Sequence, residues 1–400
     1  MKKVTKQVLC LLLVAAMLAG FAVPVNAVHE PGISFKQVDN SSVSANLLTE
    51  FENHTDQEPQ YADTDMVRVS IVLEKQSTIE AGYSTQNIAQ NTEAMAYRAE
   101  LQRQQTAMTA SIEKATGNKL DVVWNLTLAA NIISANVPYG QIEAIEKLQG
   151  VEKVLIENQY QPDVVSKEET VAPHMATSGK QIGSALAWNA GYTGAGTRIA
   201  VIDTGADLDH QSFNEGAYQY SLARQASLAN MSVEAYTERL NLLDAEEIAS
   251  VSENLNVSVD ADTAYVSAKI PFGYNYVDGD YDVTHLNDAQ GEHGSHVAGI
   301  STANAYVPNG DGSYARALDS VMVQGVAPDA QLLVMKVFGK GGGAYDSDYM
   351  AAIEDAVILG ADAVNLSLGS GNPGMSRNTT AEYQAILDSL VKSGTVVAMS

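Results

Sequence analysis

Disulfides cannot hold this protein together, because its single cysteine is Cys10, near the N-terminus. Stability must come from buried apolar surface, with bound ions as the other available staple. Basic residues are scarce too. The chain has 23 Lys and Arg against 48 Asp and Glu, a formal charge of −25, which argues against nucleic acid and anionic membranes as partners. No HExxH helix is present, and no Gly-Lys-Ser/Thr follows a glycine-rich loop, which disfavours zincin and phosphate-loop chemistry. What is plentiful is apolar residue, 46% of a 400-residue chain, enough to build about two to three domains with sizeable cores.

The N-terminus has the layout of a secretory signal peptide. Lys2, Lys3 and Lys6 precede an apolar run from Val8 to Val23, and Val25-Asn26-Ala27 offers small residues for cleavage. Gly20 and Pro24 break the run, which is short for a membrane anchor. Cys10 precedes most of it, the wrong place for a lipid attachment. The expectation is a leader over 1–27, a secreted product and no membrane span after cleavage. A cell-wall association would be announced by a C-terminal signal outside this sequence.

Residues 28–62 are polar and read as a linker. Over 63–160 the pattern predicts a small α+β domain. A strand alternates over Met66–Leu73, and a helix runs from about Asn91 to Thr116 with Gly117 as stop. Two β-prone runs follow at Asp121–Leu128 and Asn131–Val137, then a short helix over Tyr139–Leu148 and a strand at Val151–Ile156. The order β-α-β-β-α-β is the ferredoxin-like one. Residues 161–181 read as a second linker. From 182 the chain changes character. Apolar strands at Thr197–Ile202, Leu332–Val337, Ala363–Leu368 and Thr395–Met399 alternate with helices over Asp346–Leu359 and Ala381–Lys392. That predicts an α/β fold, a doubly wound, mostly parallel sheet, with ligands bound beyond the carboxyl ends of its strands. An insertion spans about 215–269 and carries a predicted helix from Ser232 to Ile248.

Two segments suggest chemistry. Asp203 ends the apolar run Ala200-Val201-Ile202. His293 follows a polar loop and opens a small-residue helix through Ala303, with Gly294 and Ser295 leaving space beside it. Taken singly, neither decides. Asp203, Asp207 and Asp209 would also suit a carboxylate pair, a cation site or a solvated loop. His293 and His296 have i, i+3 spacing, but His296 reads as a packed helix residue rather than a ligand.

Together, Val201-Ile202-Asp203-Thr204-Gly205-Ala206-Asp207 and His293-Gly294-Ser295-His296-Val297-Ala298-Gly299-Ile300 resemble the aspartate and histidine motifs of subtilisin-like serine proteases. The usual threonine is replaced by Ser295, which keeps a hydroxyl. The resemblance implies that Asp203 orients His293, the general base of an Asp-His-Ser triad. It also implies that Gly341, Gly342 and Gly343, with Ser367, Leu368 and Gly369, clasp the substrate backbone. Residues 66–160, through Ile132–Pro138 and Gly150–Val154, look like the inhibitor-type propeptide of that family, a folding chaperone and plug. The long insertion resembles the cell-envelope branch that includes lactocepins and complement-cleaving enzymes; a rim role for it would appear as altered substrate preference on its deletion.

The family's nucleophile motif, Gly-Thr-Ser, is absent, and so is the oxyanion asparagine expected just past Thr395–Ser400. Asn365 and Ser370 do not replace them. The expectation is therefore a catalytic domain represented by its N-terminal part, with the serine beyond residue 400 and residues 1–400 inactive alone. The alternative is a non-catalytic binding module. The resemblance implies chemistry without a cofactor. Structural calcium is compatible with the family, its ligands unassigned. The expected partners are protein or peptide substrates and the chain's own propeptide.

Overall fold

The computed structural model describes residues 61–161, 178–179, 181–286, 288, 290–368 and 377–399. The leader and most of both linkers lie outside the described residues. Among those described, no helix is long and apolar enough to cross a membrane.

Strand β1 (Met66–Leu73) is followed by α1 (Thr92–Thr116), β2 (Asp121–Leu126), β3 (Ile132–Pro138), α2 (Ile142–Glu146) and β4 (Val151–Ile156). The strands pair antiparallel in the order β2-β3-β1-β4, the ferredoxin-like order. Alternation on β1 drives this: Val67, Val69, Ile71 and Leu73 bury against Ile112 of α1 and Ile145 of α2. Asn91 caps α1 by accepting from the backbone N–H groups of Glu93 and Ala94, and Gly117 ends it in the left-handed region at φ 72°. The helix expected over 139–148 is shorter, a 3₁₀ turn leading into α2. Past β4 the chain leaves as β5 (Gln159–Tyr160).

The second part opens on a short helix over Ser184–Asn189, reaches its first strand at β6 (Arg198–Asp203) and continues through the insertion, α3 (Glu215–Leu228), α4 (Val233–Leu240) and α5 (Ala245–Val251), to β7 (Phe272–Asn275). Then come α6 (His293–Thr302), a hairpin of β8 (Tyr306–Pro308) and β9 (Tyr314–Arg316), and β10 (Gln331–Lys336). The remaining elements are β11 (Ala344–Tyr345), α7 (Asp346–Ile358), β12 (Ala363–Leu366), α8 (Arg377–Ser393) and β13 (Val396–Met399). Five strands form one parallel sheet in the order β13-β12-β6-β10-β7. The central strands β6 and β10 are covered on both faces, which is why they read as continuous apolar runs, whereas β13 at the edge is largely exposed. Ala200, Ile202, Leu333 and Met335 bury toward α7 and α8, whereas Val201, Leu332 and Val334 bury toward Ala298 of α6.

The insertion departs from expectation. Its single helix over 232–248 is two, because Asn241 turns left-handed at φ 51° and Asp244 starts a new helix by accepting from the Glu247 N–H. The earlier helix α3 was not anticipated. The insertion also reaches the N-terminal domain. Arg98, 2% exposed on α1, donates to the carbonyl of Asn254 and to Oδ1 of Asn256 at 3.2 Å.

Candidate active site

Asp203 is the last residue of β6, a central strand flanked by β10 and β12, and its side chain is 1% exposed. His293 is the first residue of α6. Its Nδ1 lies 2.9 Å from Oδ1 and 3.0 Å from Oδ2 of Asp203. The carboxylate is oriented by more than the imidazole, since Oδ1 also accepts the Thr204 N–H at 2.6 Å. Thr204 in turn accepts from the Gly294 N–H at 2.9 Å, tying the strand end to the helix start.

The small residues around His293 serve that junction. A Cβ on Gly294 would overlap the Gly205 carbonyl, and one on Gly205 would overlap the carbonyl of Val283. Gly294 thus brings backbone to backbone instead of clearing room beside the imidazole. Ser295 keeps its hydroxyl in use, accepting from the Asp207 N–H at 2.7 Å. His296 is not packed as expected; it is exposed, since its position on the short helix α6 turns away from the sheet. Among the described residues no group of three or more His, Cys, Asp or Glu could hold a metal ion.

Lys336 belongs to no motif in the sequence. It ends β10, is 1% exposed, and donates to the Thr204 carbonyl at 2.6 Å. It also pairs at 2.7 Å with Asp288, in the loop leading to His293. One cation therefore fixes both segments that deliver the Asp203–His293 pair. A lysine closing an otherwise apolar strand was the available signal, since a buried lysine needs partners.

The glycine segment meets an occupant. β11 pairs antiparallel with β5, with Ala344 opposite Tyr160 and Tyr345 opposite Gln159. A Cβ on Gly343 would overlap the Tyr160 carbonyl, and Gly342 has φ 117°, so both positions need glycine. Gly341 shows neither need. Ser367 donates to Asn365 at 3.1 Å, and Leu368 is buried in the core. Gly369 and Ser370 lie outside the described residues.

Helix α7 carries the rest of the contact with the N-terminal domain. Glu354, fully buried, accepts from four consecutive N–H groups, those of Thr127, Leu128, Ala129 and Ala130, at 3.3, 2.8, 2.8 and 3.4 Å. Glu157, following β4, accepts from the hydroxyls of Ser70, Ser134 and Ser347 and from the Ser347 N–H. Asp348 accepts from Trp124 at 2.8 Å. Burial raises the carboxyl of Glu157 above its ordinary range and that of Asp346 to about 7.

Residues 194–400 match the sequence model of the subtilase family. The chain belongs to that family. Among curated subtilases, the minor extracellular protease Vpr of Bacillus subtilis is 30% identical over 234 residues, 57% of this chain and 21% of that protein. A PII-type proteinase of Lacticaseibacillus paracasei is 28% identical over 359 residues, 87% of this chain and 16% of its own. A C5a peptidase of Streptococcus pyogenes is 30% identical over 178 residues, 44% and 12% respectively. The chain therefore spans about a fifth or less of the length of these relatives. The subtilase domain accords with the parallel α/β architecture expected from the sequence.

Proposed function

We propose that the full-length protein is an exported serine endopeptidase and that residues 63–160 are its inhibitory propeptide. The observation that carries the reading is the Asp203–His293 contact at the carboxyl edge of the parallel sheet. A carboxylate that accepts the proton of Nδ1 leaves the lone pair on Nε2, the tautomer that can take a proton from a serine hydroxyl. Once His293 is cationic, Asp203 stabilises the charge, and the same Nε2 then protonates the leaving amine. The serine and the oxyanion donor come from residues past 400. The strand β5 supports the propeptide assignment, because it lies along Gly343–Tyr345 as an extended peptide adding to a sheet edge. Export is supported by the leader pattern over 1–27 and by a relative described as extracellular.

The test uses the mature full-length protein and an unfolded protein substrate. A serine-directed phosphonate is expected to label one serine C-terminal to residue 400 and to stop proteolysis. Proteolysis that survives saturating reagent, or no proteolysis at all, would refute the reading.

Docking of the propeptide should depend on pH. Asp346 and Glu157 face one another's neighbourhood together with Arg68, Tyr160, Tyr349 and Tyr383. Arg68 lowers the Glu157 carboxyl, but desolvation raises both acids more. Groups with docked values above their free values stabilise the docked state below the free value and cease to do so above the docked one. Docking should therefore weaken as pH rises from about 4 to about 7. Hydrogen exchange at the β5 amides, corrected for intrinsic rate, is expected to show more opening at pH 8 than at pH 5; equal or reversed protection would contradict this.

A further inference from the structure

The strand that lies in the cleft does more than pair its backbone. Tyr160 is 4% exposed, with its ring edge-on to Tyr349 at 5.7 Å between centroids. Its hydroxyl donates to Oδ1 of Asp346 at 2.9 Å, and that oxygen also accepts from Tyr349 at 2.9 Å. The other oxygen, Oδ2, accepts from the backbone N–H of Asn158 at 2.7 Å, and the Asp346 N–H returns a bond to the Asn158 carbonyl at 3.3 Å. One aspartate at the start of α7 thus reads both the main chain and the phenol of the same extended segment.

We propose that this subtilase selects substrates with tyrosine at the position occupied here by Tyr160, with Asp346 as the residue that specifies the phenol. The inference rests on the peptidase reading, in which β5 lies where a substrate strand would. An apolar pocket would accept leucine, phenylalanine or tyrosine with little distinction. This pocket has a buried carboxyl at its end. Phenylalanine would fill the same volume, yet leave Oδ1 short of one donor in a place water does not easily reach. Sites built to bond a substrate hydroxyl reject the analogue lacking it far more strongly than pockets that measure size. Because Tyr349 still serves Oδ1, the expected discrimination is modest for such a site, about 10- to 100-fold in kcat/KM.

The experiment uses the mature full-length enzyme and peptides carrying the sequence of residues 157–170, with Tyr, Phe or Leu at position 160. Cleavage is followed by mass spectrometry. The tyrosine peptide is expected to be cut at least tenfold faster than the phenylalanine peptide, at one fixed spacing from the tyrosine. Asp346→Ala should bring the two rates together, while Asp346→Asn, which keeps an acceptor oxygen, should retain a preference for tyrosine. The wild-type comparison stands even where a variant fails to fold. Equal rates for Tyr and Phe would overturn the proposal and leave the peptidase reading intact. Failure to cut any of these peptides while an unfolded protein is digested would do the same. An enzyme that digests nothing would remove both.

Discussion

Replacing His293 by alanine in the full-length protein is expected to lower kcat by about 10⁶ while leaving KM nearly unchanged. The magnitude is that of subtilisin, where loss of the histidine costs about 2 × 10⁶ in kcat. The reason lies in this chain's own geometry. Asp203 is already satisfied by the Thr204 N–H and by Nδ1, so a histidine held by it has one tautomer and one orientation. Asp203→Asn should be less damaging but still severe, about 10⁴-fold. The Thr204 N–H demands an acceptor at the Oδ1 position, which turns the new amide nitrogen toward Nδ1 at the place now 3.0 Å away. An N–H there favours the tautomer with the proton on Nε2, which cannot accept one from serine. Steady-state kinetics on an unfolded protein substrate checks both variants. A His293→Ala enzyme within a hundredfold of wild type would sink the proposed role.

The second large effect is expected at Glu354. Glu354→Ala removes the acceptor of four backbone N–H groups and leaves Arg98, 3.7 Å away, without its buried carboxylate. Removing one partner of a buried ionic contact costs about 3–5 kcal/mol, here charged to the docked state. Opening of the N-terminal domain from α7 should rise about 10²- to 4 × 10³-fold, read as hydrogen exchange at residues 127–130 in the full-length protein. Glu354→Gln retains a carbonyl acceptor and should open far less. If alanine leaves exchange within threefold of wild type, Glu354 is not the anchor. Because Asn254 and Asn256 share Arg98, the insertion belongs to this same contact with the N-terminal domain.

Much of the frame was readable from residue order alone. The four apolar runs became β6, β10, β12 and β13 within a residue or two; β6 and β10 need no polar alternation because both their faces are covered, while β13 is apolar yet largely exposed. Asp203 and His293 stood out only as a pair, through the motifs around each of them taken together. Edge strand β7 was not readable: Phe272-Gly273-Tyr274-Asn275 carries a glycine and no run. Nor was the role of Glu354, which in a predicted helix looks like any solvated acid. Its four donors lie more than 220 residues earlier in the chain, and no local pattern reports a partner that distant. Lys336 is intermediate, visible as an oddity whose meaning needed Thr204 and Asp288 in space.

The close approach at Gly343 has a consequence for which polypeptides this cleft can admit. The Tyr160 carbonyl passes where a methyl group would stand, so anything that takes its place must arrive with its main chain fully stretched and its own carbonyls and amides unclaimed. Helices and interior sheet strands have already committed those groups to one another. Floppy tails, surface loops and newly denatured stretches have not. On the proposed peptidase reading, a protein in its native shape would thus survive until some part of it frays, and fraying would be sensed before any side chain is read.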